Sequence, residues 1–232
     1  ELIELAAQLH WARGLTGKAC VFHAHLGLRR APAAQLAAVI ERSDLPPDGF
    51  VATHVNYGPE TLAAAPDLAR LGAWIDVTSV LGPWSAARES IKASAAVRRF
   101  LDGGVPLARI SISSDANASV PLVDAAGQRQ PYWTKVDTLP AAVRDLVQEE
   151  GLGLADALRL VTQHPARALG LEARKGSLTP GRDADIVTMD DGLNVRGVFA
   201  RGRCLLADGA PVVRSSFEEK FLHDPTRGAG ER

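Results

Sequence analysis

The sequence predicts an α/β fold built on a parallel sheet, and three observations carry that prediction. Strand-like apolar runs alternate with helix-like patterns at intervals of roughly 25 to 35 residues, the spacing of right-handed β-α-β crossovers. Three of those runs end in a potential metal ligand: Val21-Phe22-His23-Ala24-His25, Val51-Ala52-Thr53-His54 and Ile110-Ser111-Ile112-Ser113-Ser114-Asp115. Ligands delivered to one shared end of neighbouring strands are how an α/β barrel assembles a metal site. After residue 173 the alternation stops, and short β-rich runs between glycine turns take its place.

Taken in order, residues 1–13 carry Leu2, Leu5, Ala6 and Leu9 at helical spacing and are expected to end before Gly14. A strand follows over 18–26. Pro32 opens a helix through Arg42, and Pro46-Pro47-Asp48-Gly49 turns the chain into a strand over 50–55. Pro59 starts a helix reaching Leu71, residues 73–78 form a strand, and residues 85–102 the next helix. Gly103-Gly104 precedes a strand over 108–114. Residues 116–135 read as a long loop, which inside a domain is usually functional. Helices are expected over 138–150, 153–162 and 164–169, and strands over 185–189, 195–200 and 203–206. The expected organisation is a barrel portion over 1–173, small β-domain strands over 174–217 and a flexible tail over 218–232.

Composition narrows the function. A hydrophobic content of 46% supports a sizeable core, while a net charge of −1 gives no electrostatic footprint for nucleic acid or an anionic membrane. Cys20 and Cys204 lie far apart without metal-binding spacing, so a reducing cytoplasmic setting is expected. No apolar run approaches the roughly 20 residues that span a bilayer. No glycine-rich strand-to-helix turn speaks for a phosphate site. The chain opens with Glu1 and enters a helical pattern at once, which suggests coding sequence upstream.

His25 and His54 are the leading candidates for chemistry. Neutral imidazole suits zinc, and histidines on neighbouring strands can share one ion. Either histidine alone reads equally well as a hydrogen-bonded core residue; the pair, with Asp115 at a third strand end, favours a metal. A carboxylate at Asp115 can bind metal and take a proton from water, or simply cap the following turn. His23 faces the same side as His25 two residues on, and is expected to lie one layer deeper or to line the site without binding, rather than to act as a ligand. His164, before Pro165, reads as structural, His10 and His223 as surface residues, and Asp76 as an inward polar residue. Tyr132 and Trp133 could line a pocket or be partly buried loop aromatics.

At these residues the chain resembles the amidohydrolase superfamily and, within it, the β-aspartyl (isoaspartyl) dipeptidase family. The matching segments are Phe22 to Gly27, Thr53-His54-Val55-Asn56, Ile75-Asp76-Val77-Thr78-Ser79 and Ser113-Ser114-Asp115-Ala116-Asn117-Ala118-Ser119. A further stretch, Gly176-Ser177-Leu178 through Pro180-Gly181-Arg182-Asp183-Ala184-Asp185-Ile186-Val187, is common across the superfamily. The resemblance implies the C-terminal half of a TIM-like (β/α)8 metal-dependent hydrolase barrel plus part of a small β-sandwich domain. It implies that His25 and His54 bind one Zn2+ of a binuclear site, that Asp115 binds the other and acts as general base, and that Ser119 contacts substrate. The family's His-x-His pair and bridging carboxylated lysine have no counterpart here and are expected upstream. Where the family has an arginine after Thr-His-Val-Asn, holding a substrate carboxylate, this chain has Tyr57, which offers one hydrogen bond and no bidentate fork.

The function so implied is zinc-dependent hydrolysis of an amide or isopeptide bond, with a β-aspartyl dipeptide as the small-molecule partner. Further copies of the chain in a homo-oligomer are compatible with it; nucleic acid and membrane are not expected. The alternatives are another amidohydrolase, such as a cyclic amidase or N-acyl-amino-acid deacylase, and an inactive fragment lacking the upstream ligands. A half barrel would expose two unpaired edges, so the isolated chain is expected to be aggregation-prone and weakly active or inactive.

Overall fold

The computed structural model describes residues 1–27, 31–82, 89–123 and 128–213, with backbone alone over 119–123 and 129–133. It divides into two units, Glu1–Ser177 and Leu178–Arg232.

The first unit has the expected α/β class. Its strands β1 (Phe22–His25), β2 (Phe50–Thr53), β3 (Trp74–Thr78) and β4 (Ile110–Ser113) form one sheet in the order β1-β2-β3-β4, every pair parallel. Between them run α1 (Leu2–Thr16), before β1, then α2 (Pro32–Arg42), α3 (Pro59–Arg70) and α4 (Ala93–Asp102). Proline at the first helical position of α2 and α3 costs nothing, because the missing N–H has no partner in the first turn. Single 3-10 turns at Pro47–Gly49 and Leu107–Arg109 feed β2 and β4. Helices α5 (Thr138–Gln148), α6 (Leu154–Val161) and α7 (Gln163–Ala168) complete the unit.

The strand register sorts side chains into two faces. Phe22, Ala24, Phe50, Ala52, Ile75, Val77, Ile110 and Ile112 alternate onto one face and join the main core. Leu36, Val39, Leu62, Leu68, Val97, Phe100 and Leu146 of the helices cover it. Each such side chain, fully buried, contributes roughly 1.5–3 kcal/mol relative to exposure. The other face is different in kind: His25, Thr53, Asp76 and Ser111 lie in register across all four strands, with Thr78 and Ser113 one step beyond. His23, Val51 and Trp74 form the row beneath.

Several boundaries differ from the sequence reading. Helix α1 runs through Gly14 to Thr16 and stops at Gly17, whose φ of 64° supplies the left-handed turn; its N–H bonds to Arg13 O at 3.0 Å. The helix expected over 85–102 begins at Ala93; residues 83–88 lie outside the described residues. Ile91, just ahead of it, is anchored by Asn56, whose carbonyl O accepts from Ile91 N at 3.1 Å and whose Nδ2 donates to Ile91 O at 2.9 Å. The expected loop over 116–135 contains an antiparallel hairpin, β5 (Ser119–Val123) with β6 (Arg129–Trp133). Thr134 closes its base: Asn117 N donates to Thr134 O and Thr134 N to Ala118 O, both at 3.1 Å.

The second unit is a four-stranded antiparallel sheet in the order β10-β9-β8-β7. Its strands are β7 (Ile186–Met189), β8 (Val195–Ala200), β9 (Arg203–Ala207) and β10 (Ala210–Pro211). Gly197 in β8 faces Thr188 so closely that a Cβ would fall 2.7 Å from its Oγ1, so this rung requires glycine. The tail expected to be flexible, including His223, lies outside the described residues.

Candidate functional site

Parallel strands all point the same way, so their C-terminal ends share one rim, where the chain turns out of the sheet. His25 ends β1 and His54 directly follows β2. The two rings meet at that rim, His54 Nε2 lying 3.0 Å from His25 Nδ1, with ring centroids 4.9 Å apart at 66°. His54 is 9% exposed, whereas His25, at the end of β1, is exposed.

His54 adopts φ 64°, a left-handed conformation that only a few per cent of non-glycine residues take and that histidine tolerates better than most. The bend is over-determined by its surroundings. Leu26 N bonds to Thr53 O at 3.1 Å, Tyr57 N to His54 O at 3.0 Å, and His54 Nδ1 meets Thr78 Oγ1 at 2.8 Å. The Tyr57 ring, itself buried, stacks on the imidazole with centroids 4.7 Å apart and planes 9° from parallel.

Asp115 follows β4 with φ 50°, and Asn117 with φ 61°, so the backbone kinks sharply there too. Thr134 pins the kink, its hydroxyl donating to Asp115 O while accepting from Ala118 N at 2.9 Å. Desolvation pushes the Asp115 carboxyl above the usual aspartate range, and the nearby charge of His25 opposes the shift. Strained backbone at two strand ends that also carry the candidate ligands is a pattern of functional sites.

Behind the rim lies Asp76, buried at the centre of the inward face. Its Oδ1 accepts from Ser111 Oγ at 2.7 Å, and its Oδ2 from Thr53 Oγ1 at 2.6 Å and Ser113 Oγ at 2.5 Å. One carboxylate therefore ties β2, β3 and β4 together. His23 shares the face of His25, its ring 5.1 Å from it, and lies in the row beneath. Desolvation lowers the His23 pKa, Asp76 acts in opposition, and His25 adds to the lowering. His164 is buried with Nδ1 2.8 Å from Ile110 O and lies against Trp74, which agrees with its structural reading.

The structure thus brings His25 and His54 together and sets Asp115 within electrostatic reach of His25. It does not gather the three into one cluster: among the described residues no group of three or more His, Cys, Asp or Glu is placed to hold a metal ion. The pair itself fits zinc. Two imidazole nitrogens on one tetrahedral ion sit about 3.3 Å apart, close to the separation seen between these two. Ser119 opens β5, with its side chain outside the described residues, as are those of Tyr132 and Trp133 in β6. Asn56 and Thr78, which surround His54, escaped the sequence reading. The in-phase polar positions of β3, Asp76 and Thr78 in an otherwise apolar strand, were the available signal.

Four parallel strands with helices between them, and two imidazoles meeting at the strand ends, define an α/β scaffold of the barrel type. Residues 51–205, more than half of the chain, match the amidohydrolase family, and the chain belongs to that family. It is similar to a β-aspartyl dipeptidase from Fervidobacterium islandicum AW-1 solved with β-Asp-Leu dipeptide. The TM-score is 0.79 at 24% identity, covering 93% of this chain and 54% of that one. An atrazine chlorohydrolase from Arthrobacter aurescens TC1 complexed with zinc gives a TM-score of 0.59 at 18% identity, over 97% of this chain and 51% of that one. At these identities the likeness is one of fold. In sequence, an N-acetylglucosamine-6-phosphate deacetylase from Bos taurus is 44% identical over 64 residues, 28% of this chain and 16% of the relative. An N-acetylgalactosamine-6-phosphate deacetylase from Escherichia coli O157:H7 is 39% identical over 66 residues, 28% of this chain and 18% of the relative. The matched stretches span about half the length of the solved structures and under a fifth of these deacetylases.

Proposed function

We propose that this chain supplies part of the active site of a zinc-dependent amide hydrolase, with β-aspartyl dipeptides as the preferred substrate class. The observation that carries the reading is the convergence of His25 Nδ1 and His54 Nε2 at the C-terminal rim of neighbouring parallel strands. His25 and His54 would hold one Zn2+ and Asp115 would contribute to a second. When bound, such ions polarise the scissile carbonyl and make water a better nucleophile at neutral pH.

The chain's own residues do the rest. Asp115 takes the proton of the attacking water on its carboxylate and passes it to the leaving amine nitrogen. Ser119 contacts substrate from the start of β5, while Tyr57, the second expected contact, is buried against His54 with its hydroxyl out of solvent. With no guanidinium fork at that position, discrimination for acidic dipeptides is expected to be weak. The free thiols of Cys20 and Cys204 accord with a cytoplasmic setting.

A second reading, removal of an N-acyl group, is favoured by the identity to the two deacetylases. Titration with zinc, followed by assay of β-Asp-Leu against N-acetylated substrates, separates them. The hydrolase reading expects zinc bound by the wild type and lost in both His25→Ala and His54→Ala. It also expects any turnover to be abolished in Asp115→Asn. Zinc binding unchanged in either histidine variant would reject the site. Preference for the N-acetylated substrate would replace the dipeptide with an N-acyl amide.

A further inference from the structure

This inference rests on the reading of His54 as a ligand and concerns what holds it. A neutral imidazole has one N–H donor and one bare nitrogen, and only the bare one can ligate. For Nε2 to face the site, the proton must sit on Nδ1, and in a buried position that proton needs an acceptor. Thr78 Oγ1 is at 2.8 Å from Nδ1, on a residue with no exposed surface.

Thr78 is itself locked. Asn56 Oδ1 accepts from Thr78 N at 2.9 Å and Asn56 Nδ2 donates to Thr78 O at 3.0 Å, so the amide side chain pairs with the Thr78 backbone from both sides. The same Nδ2 donates to Ile91 O at 2.9 Å, anchoring Asn56 to the segment ahead of α4. With Tyr57 stacked over the ring, the imidazole has little freedom to rotate or flip.

We propose that Thr78, clamped by Asn56, is the positioning residue that fixes His54 in its Nδ1–H tautomer with Nε2 turned to His25. A hydroxyl does this without adding charge: the ligand stays a neutral imidazole, where a carboxylate partner would make it more basic. No chain neighbour of His54 supplies this acceptor. It is supplied by β3.

Long-range 1H–15N NMR of the His54 ring in the metal-free chain tests the inference directly. The wild type is expected to carry the proton on Nδ1. Thr78→Ser is expected to keep it there, and Thr78→Val, which preserves shape and removes the acceptor, to move it to Nε2. Zinc affinity by calorimetry is expected to fall roughly ten- to a hundredfold in Thr78→Val and to stay within about threefold in Thr78→Ser. A wild-type ring protonated on Nε2, or a Thr78→Val chain that binds zinc as the wild type does, overturns the inference. The expected tautomers together with zinc binding indifferent to His54→Ala would instead leave the latch standing and reject the zinc site it serves.

Discussion

His25 and His54 contribute comparable imidazoles to one rim, yet the protein holds them in opposite ways. His54 sits on an interior strand, buried, with its backbone bent and its ring gripped by Thr78 and Tyr57. His25 sits at the end of β1, exposed, with His54 as its close polar neighbour. The neighbouring strands decide the difference: β3 supplies Thr78 to the His54 ring, whereas among the described residues β1 pairs with β2 alone.

The largest effect that could break this comparison lies at Asp76. Replacing it by alanine strips the acceptor from two buried hydroxyls and one half-buried one on two strands, and a loss of about 3 kcal/mol in urea-unfolding free energy is expected. A loss below about 1 kcal/mol would mean that the interior strands do not depend on this hub. The two histidines should then separate. His54→Ala leaves Thr78 without its ring partner and puts alanine at positive φ, for a cost of about 1–2 kcal/mol. His25→Ala should stay within about 0.5 kcal/mol of wild type, although both variants lose zinc. Equal destabilisation by the two would erase the contrast.

A third test uses pH. Burial holds the His164 pKa below the ordinary 6.5, so the unfolded chain binds more protons than the folded one as pH falls below that value. Stability is fully present above 6.5 and declines as pH drops toward the folded-state pKa. His23 contributes in the same sense. His164→Gln should flatten part of that decline in unfolding curves collected between pH 7 and 5; an unchanged slope would show that His164 titrates normally. The smallest effect is expected at Lys92, whose ammonium meets Asp145 at 2.9 Å and Glu149 at 2.7 Å while 43% exposed. Solvent screening limits Lys92→Ala to about 0.5 kcal/mol, diminishing further in added salt.

What the sequence disclosed follows the same division between local and distant. The four barrel strands were legible because their apolar runs are continuous, and α2 and α3 because proline marks their first turn. The pairing of His25 with His54 was legible because both sit at strand ends. The hairpin at 119–133 was not: Pro121 faces Pro131 across it, and proline within a run argues against a strand unless a partner is known. Gly14 and Gly17 are equally good helix stops by composition, and only the φ of 64° at Gly17 separates them. The polar alternation of β3 marked Thr78, but its link to Asn56 was not legible, because those bonds join residues 22 apart through a register that no spacing encodes.

The order β1-β2-β3-β4 has a consequence for how the chain is made. Each strand pairs with the one synthesised just before it, so a ribosome can release βα units that dock onto a sheet already waiting. Asp76 breaks this simple succession. It emerges with Thr53 already available, while Ser111 and Ser113 are still inside the ribosome, so the nascent sheet carries a carboxylate that must stay hydrated until β4 arrives. We therefore expect pulse-labelled hydrogen exchange during refolding to protect the amides of β3 and β4 in a single step. Protection of β3 well ahead of β4 would show that the carboxylate can be buried with one hydroxyl alone. On this view the timing of folding is set by a polar group waiting for its last two partners, and not by the apolar face that holds the helices.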